Sequence, residues 1–291
     1  MIDYPSSPLD RRLNAYRDDL ADARLQGQVV AKRFVTGQPA RIAASSAAVR
    51  RHPSSDAPLD TEALAGEPIL VFDDADGFAF VQLERDSYAG YVASAAIGPR
   101  DLTPTHRVNA LRTFIYPSAD MKRPPLEVLS LNAEVAVISV SGPFALLARN
   151  GAVHAAHLVP IGRNADDFVA VAERFVGTPY LWGGKTSIGC DCSGLVQLSL
   201  DAAGVACPRD TGMQERALGR LIGNRPEPGN LQRGDLVFWP GHVGIMLDAE
   251  RLLHANGYHM ETVIEPLAEA EARIAATGTL IRSLKRFSPA Q

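Results

Sequence analysis

Two hydrophobic periods run along this 291-residue chain, and the change from one to the other divides it. From about residue 28 to residue 160 the apolar runs are short and bounded by turn residues. They include Pro68-Ile69-Leu70-Val71-Phe72, Gly77-Phe78-Ala79-Phe80-Val81-Gln82-Leu83, Gly90-Tyr91-Val92, Glu134-Val135-Ala136-Val137-Ile138-Ser139-Val140 and Phe144-Ala145-Leu146-Leu147-Ala148. Such runs predict β-strands, and their close spacing predicts small barrels. A faint repeat runs through the region: Ala48-Val49-Arg50 leading to Gly66-Glu67, Gly77-Phe78 and Gly90-Tyr91-Val92 parallels Thr113-Phe114-Ile115 leading to Ala133-Glu134, Gly142-Pro143-Phe144 and Gly151-Ala152-Val153. Beyond residue 160 the period lengthens. Leu195, Leu198 and Ala202 recur at helical spacing until Gly204, which predicts a helix whose first turn holds Cys192. At the other end of the chain Leu9, Leu13, Tyr16 and Leu20 share that spacing and predict a short N-terminal helix or docking arm.

These patterns set the expected boundaries. An arm or short helix occupies 1–27, a first barrel 28–101, a second 102–160, and a mixed domain 161–291. Asp101-Leu102-Thr103-Pro104 and Val159-Pro160-Ile161-Gly162 are the seams.

The chemistry concentrates in the last domain. A helix's first turn carries unpaired N–H groups and the positive end of its dipole, which favour a thiolate at Cys192. The segment from Gly234 to Leu247 reads as two apolar runs broken by Pro240-Gly241, a hairpin with His242 at its mouth. The following run, Arg251 to Gly257, carries His254 on a neighbouring strand. Cysteine on a helix, then histidines on strands, is the papain-like chain order. His242 is then the base for Cys192, and His254 orients it. His259 competes for that third position but lies beyond the Asn256-Gly257 turn. Cys190 and Cys207 read as ordinary buried thiols, and His52, His106, His154 and His157 as surface or packing residues. A zinc site built on Cys190, Cys192, His242 and His254 is disfavoured, because structural zinc sites space their cysteines two to four residues apart. Asp235, after a glycine and before an apolar run, reads as a turn stabiliser.

Five strings in order, Pro179-Tyr180-Leu181-Trp182-Gly183-Gly184, Asp191-Cys192-Ser193-Gly194-Leu195-Val196-Gln197, Pro208-Arg209-Asp210-Thr211, Gly234-Asp235-Leu236-Val237-Phe238 and His242-Val243-Gly244-Ile245, resemble the NlpC-type cysteine peptidases of bacterial cell walls. The resemblance spans roughly residues 164–286 and implies an α+β papain-like catalytic domain with a Cys192, His242, His254 triad. The two segments before it resemble bacterial SH3-like modules, small all-β barrels. By this resemblance Tyr180 aids the oxyanion hole beside the backbone N–H of Cys192, and Trp182 lies in the same substrate-binding stretch. Two SH3-like modules ahead of such a domain are similar to γ-D-glutamyl-L-diamino acid endopeptidases. In that branch the first module walls off the cleft, so that only short stem peptides with a free N-terminal L-alanine fit. The implied substrate is a murein peptide such as L-Ala-γ-D-Glu-meso-diaminopimelate, with no metal or organic cofactor. Asp191 is the motif-matched carboxylate for the substrate ammonium, with Ser193 and Asp210 on the same side. Glu67 and Tyr88 are the first module's candidates, Tyr91 is an alternative ring, and ordinary barrel structure is an equal reading of all three. Two other functions stay open: a murein amidase or acyltransferase on intact wall, and a cell-wall binding protein with a degenerate peptidase domain.

Composition narrows the frame. With 46% apolar and 21% charged residues and a net charge of -4, the chain reads as globular, with no nucleic-acid partner. No apolar run nears the ~18 residues that span a bilayer. The polar, mixed-charge segment Met1 to Arg12 does not read as an export signal, so a cytoplasmic location and short imported wall fragments are expected. Oligomeric state is not legible.

Overall fold

The computed structural model describes residues 9–149, 151–226 and 230–287. The chain divides into two compact units, Met1–Ile161 and Gly162–Gln291. Among the described residues no helix is long and apolar enough to cross a membrane.

The first unit is built from strands. Seven of them form one antiparallel sheet in the order 59–64, 46–50, 89–93, 78–83, 68–75, 38–42, 97–99. Alternate side chains from these strands, among them Ile42, Val49, Ile69, Val81, Leu83 and Val92, fill a single core. A second core, around Val108, Leu129, Val135, Leu147 and Val153, is enclosed by shorter strands from residue 106 onward. The repeat seen in the sequence has a structural counterpart. Ala89–Ala93 leads through a 3-10 turn at Ser94–Ala96 to Ile97–Pro99, and Ala152–His154 leads through Ala155–His157 to Leu158–Pro160. The single run expected at 134–140 is two strands, Glu134–Val135 and Val137–Ser141.

The N-terminal helix does not form over the described residues. Residues 11–13 turn, Tyr16 bridges to Ala21, and Leu20–Asp22 is a strand paired in parallel with Arg33–Val35. Leu20 packs in a cluster with Phe72 and Phe80, whereas Tyr16 packs in another with Ala21 and Val29. One helical stripe cannot serve two clusters, so tertiary burial overrides the local spacing.

The second unit holds α1 (Phe168–Glu173), α2 (Cys192–Ala202), α3 (Thr211–Ala217), β1 (Arg220–Gly223), β2 (Leu236–Trp239), β3 (His242–Met246), β4 (Arg251–Asn256), β5 (Glu261–Pro266), α4 (Leu267–Ala275) and β6 (Ser283–Arg286). The strands form an antiparallel sheet ordered β1-β6-β2-β3-β4-β5. All four side chains of β2 are buried, so both faces of the sheet are covered there. Every residue of α2 except Asp201 is buried, and the helix packs on β3 and β4. A helix enclosed on all sides holds its first turn rigidly, which matters for Cys192.

Asp235 ties the sheet together at its base. Its carboxylate accepts the Gln232 amide at 2.9 Å and pairs with Arg286 Nε and Nη2 at 2.7 and 2.6 Å, with 1% of the residue exposed. The turn role read from the sequence is therefore joined by an ion pair to β6. Asp235→Ala should cost ~2 kcal/mol, because it removes the acceptor of the Gln232 amide and the carboxylate partner of the Arg286 guanidinium, which keeps its bond to the Asn230 carbonyl. The expected result is a lower urea midpoint for the second unit with its far-UV spectrum retained.

Candidate active site

The loop ahead of α2 is shaped by one carboxylate. Asp191 caps the helix, its Oδ1 accepting the Gly194 amide at 2.7 Å, and its Oδ2 accepts the Gly183 amide at 2.9 Å. Arg209, 1% exposed, donates to both oxygens at 3.0 and 2.8 Å and also to Ser193 Oγ at 2.8 Å. The chain folds so tightly here that a Cβ at Gly194 would collide with the Gly184 carbonyl oxygen. Asp191 and Ser193 were both expected to meet substrate. Both side chains also belong to this network, and a substrate ammonium at Asp191 would share an oxygen with Arg209.

Cys192 opens α2 at 6% exposure. Its N–H, at the helix start, has no intrahelical acceptor. The sulfur lies 3.8 Å from Thr211 Oγ1 and accepts the backbone amide of Val243, the residue after His242. The hairpin expected around Pro240-Gly241 forms as β2 and β3, with Trp239 opposite His242 and Gly241 at a φ of +77°. Ile245 pairs with Leu253, and that register runs β4 back alongside β3 until His254 lies next to Gly244. A Cβ on Gly244 would sit 3.3 Å from that of His254 and 2.6 Å from Leu252 Cδ1, so glycine gives the imidazole its room. His242 Nε2 and His254 Nδ1 are 2.8 Å apart.

Three further residues join this row. His254 Nε2 is 2.7 Å from Glu265 Oε1 and 3.0 Å from Asn256 Nδ2, and Arg273 Nη1 donates to Glu265 Oε2 at 2.7 Å. None was singled out from the sequence. Glu265 sits diagonally across from His254, whose direct partner is Val263, so strand register is the signal that finds it. Arg273 arrives one helix later, on α4. His259 is exposed and contacts Asn256 Oδ1 at 3.1 Å, outside the imidazole pair.

Burial governs the charges. It pushes the Cys192 thiol up to about 11, reinforced by the Asp191 carboxylate and only partly offset by hydrogen bonds from Val243 and Thr211. Burial, then the neighbouring His254, brings His242 down to about 3. His254 is also held below its ordinary value by burial, against the pull of Glu265. Desolvation thus opposes the thiolate that the helix dipole favours, and it opposes the positive charge of His242 as well. The half-buried Tyr180 phenol is raised by burial and by Cys192 and Asp191, so it stays a proton donor.

The remaining candidates divide. Trp182 is 69% exposed on the same loop as Tyr180. Asp210 precedes α3 as its N-cap residue without a side-chain cap bond. Glu67 accepts the Leu64 amide at 2.9 Å and is 0% exposed, and Tyr88 lies in the first barrel's core at 2%, both placements of barrel structure. Tyr91 stacks on Phe80 with ring centroids 5.2 Å apart. Cys190 and Cys207 are buried free thiols, as expected.

Comparison with known proteins places these features. Residues 177–275 match the NlpC/P60 family, and residues 49–97 match the bacterial dipeptidyl-peptidase SH3 domain. A dipeptidyl-peptidase 6 of Lysinibacillus sphaericus is 34% identical over 41% of this chain and 44% of its own length. A gamma-D-glutamyl-L-lysine dipeptidyl-peptidase of Bacillus subtilis is 32% identical over 39% of this chain and 42% of its own. The chain thus spans less than half the length of these two curated relatives. A crystal structure of an NlpC/P60 family protein from Bacillus cereus covers 87% of this chain, and 100% of that chain is matched, with a TM-score of 0.73 at 20% identity, a likeness of fold.

Two outcomes follow from the geometry. With His242 neutral down to about 3 and the thiol protonated up to about 11, kcat/KM should stay flat from about pH 5 to about pH 9. It should fall on the acid side only as His242 gains its proton, and a rate profile against pH reads this directly. Gly194→Ala should lower stability by ~3 kcal/mol and displace Cys192, reducing turnover about 100-fold in a steady-state assay.

Proposed function

We propose, from an NlpC/P60 domain at residues 177–275 behind a bacterial dipeptidyl-peptidase SH3 domain at residues 49–97, that this chain is a cysteine peptidase. Its substrates are short murein stem peptides, and it cuts the amide between γ-D-glutamate and the diamino acid. The observation that carries this reading is the 2.8 Å pairing of His242 with His254 on strands that pack against α2, the helix Cys192 opens, all within one unit. The relatives' names favour the bond and the length of the leaving fragment, since a dipeptidyl-peptidase frees two residues from an open N-terminus.

The site residues have defined parts in this chemistry. As Cys192 Sγ attacks the γ-carbonyl carbon, His242 takes the thiol proton, so no free thiolate need accumulate in the buried site. The developing oxyanion is met by the Cys192 N–H and the Tyr180 hydroxyl, donors worth a few kcal/mol each in comparable sites. The C–N bond breaks as the imidazolium passes its proton to the departing amine, leaving an L-Ala-γ-D-Glu thioester on Cys192. Water, deprotonated by neutral His242, then attacks the thioester and the thiol is restored with its proton.

The test uses L-Ala-γ-D-Glu-meso-diaminopimelate, its L-lysine counterpart and N-acetylated forms of both, followed by mass spectrometry. Release of the diamino acid from the free peptides alone, abolished by Cys192→Ala, is the expected result. Equal cleavage of the acetylated peptides would replace the dipeptidyl reading with an endopeptidase that accepts longer wall strands. Binding of polymeric wall with no cleavage of any peptide would overturn the peptidase reading.

A further inference from the structure

We propose that Glu265 is a positioning residue that sets the protons on both imidazoles, turning the free lone pair of His242 toward Cys192. The argument starts at His254 Nε2, which has two suitors and can satisfy one: Glu265 Oε1 at 2.7 Å and Asn256 Nδ2 at 3.0 Å. The Asn256 amide cannot turn over, because its Oδ1 accepts the backbone N–H groups of Tyr258 and His259 at 3.1 and 2.9 Å. Its NH2 therefore faces His254 and can only donate.

The two partners dictate opposite proton arrangements. Were Asn256 the partner, His254 Nε2 would carry a lone pair and Nδ1 the hydrogen. That hydrogen would be donated to His242 Nε2, and the proton of His242 would sit on Nδ1. Since Nε2 of His242 is committed to His254, Nδ1 is the nitrogen left for the thiol, and a protonated Nδ1 is no base. With Glu265 as partner each proton moves to the other nitrogen. His254 Nε2–H donates to the carboxylate, Nδ1 accepts from His242 Nε2–H, and His242 Nδ1 is bare.

An ionised acceptor outcompetes a neutral amide, by roughly a factor of two in strength. Glu265 is kept ionised by its surroundings. Burial pushes its carboxyl up, but hydrogen bonds from Arg273 and His254 outweigh that and leave it below the ordinary range. Arg273 is in turn held under the Tyr258 ring, 4.5 Å from its centroid. The charged and titratable groups facing this row are Glu265, Arg273, His254, His242 and His259, with Asp191 reaching His242 from the helix side.

The kinetic arm of the test rests on the peptidase reading, whereas two other arms need no substrate. In full-length protein labelled with 15N-histidine, His254 and His242 should both carry their hydrogen on Nε2 at neutral pH. Glu265→Gln preserves shape and removes the charge. It should lower kcat about 10- to 100-fold with KM within about twofold, slow iodoacetamide alkylation of Cys192 to a similar extent, and move hydrogen onto His254 Nδ1. Arg273→Lys, which keeps a cation beside the carboxylate, should retain the wild-type tautomers. Hydrogen on His254 Nδ1 in the wild type would overturn the proposal, as would a Glu265→Gln protein with unchanged tautomers and alkylation. If Glu265→Gln does not fold, the wild-type spectrum decides. Normal tautomers in a protein that cuts none of the peptides would count against the substrate and support the role of Glu265.

Discussion

The buried pairing of Asp191 with Arg209 is the constraint on which the site depends. A guanidinium that is 1% exposed is tolerable only with a carboxylate in contact, and this carboxylate also caps α2 and holds the Gly183 amide. Removing one member of such a pair costs several kcal/mol, mostly from the charge left behind. Loop, helix start and Arg209 are therefore one rigid object. Its role is geometric: it fixes the backbone of Cys192, and with it the N–H assigned to the oxyanion in the proposed reaction. The pair also has an electrostatic side, since Asp191 raises the thiol pKa while Arg209 lowers it.

Much of this was legible in the sequence, and the limits have physical causes. Helix α2 announced itself through Leu195, Leu198 and Ala202, and the β2–β3 hairpin through Pro240-Gly241, because those signals are local. Leu9 to Leu20 gave an equally local signal that failed, since two separate clusters claim its side chains. The charge of Cys192 was less legible for a related reason. A helix dipole can be read from one segment, whereas desolvation is imposed by whatever packs against it, here including Thr211 and β3. Glu265 and Arg273 were invisible because a glutamate before a proline and an arginine on a polar helix look like surface residues. Only the register of β5 against β4 turns Glu265 toward His254.

The first unit shows the same rule in a simpler form. Glu67, a candidate of the first module by the resemblance and equally readable as barrel structure, accepts the Leu64 amide from inside the turn. Next to it Gly66, at a φ of +78°, has the backbone of Glu134 against the space where a Cβ would project. The Glu134 amide donates to Ala65 at 2.8 Å, and its side chain pairs with Arg85 at 2.9 Å. Two modules that a repeat would suggest are independent are thus locked by a contact too close for any residue but glycine.

Burial that opposes charge on both the thiol and the imidazole shifts where the work of the proposed catalysis is done. In a preformed ion pair the nucleophile is activated before substrate arrives, and burial would oppose both charges. In the proposed reaction proton transfer is coupled to bond formation, so the charges arise together and only while the oxyanion is also forming. The enclosed site then stabilises a charge distribution that exists in the transition state and is absent from the ground state, which is the condition for raising turnover. Such an arrangement places a strict demand on His242, because a base that acts within a single step must already present its lone pair. The row of His254, Glu265 and Arg273 meets that demand through fixed hydrogen bonds, and burial protects those bonds from exchange with water.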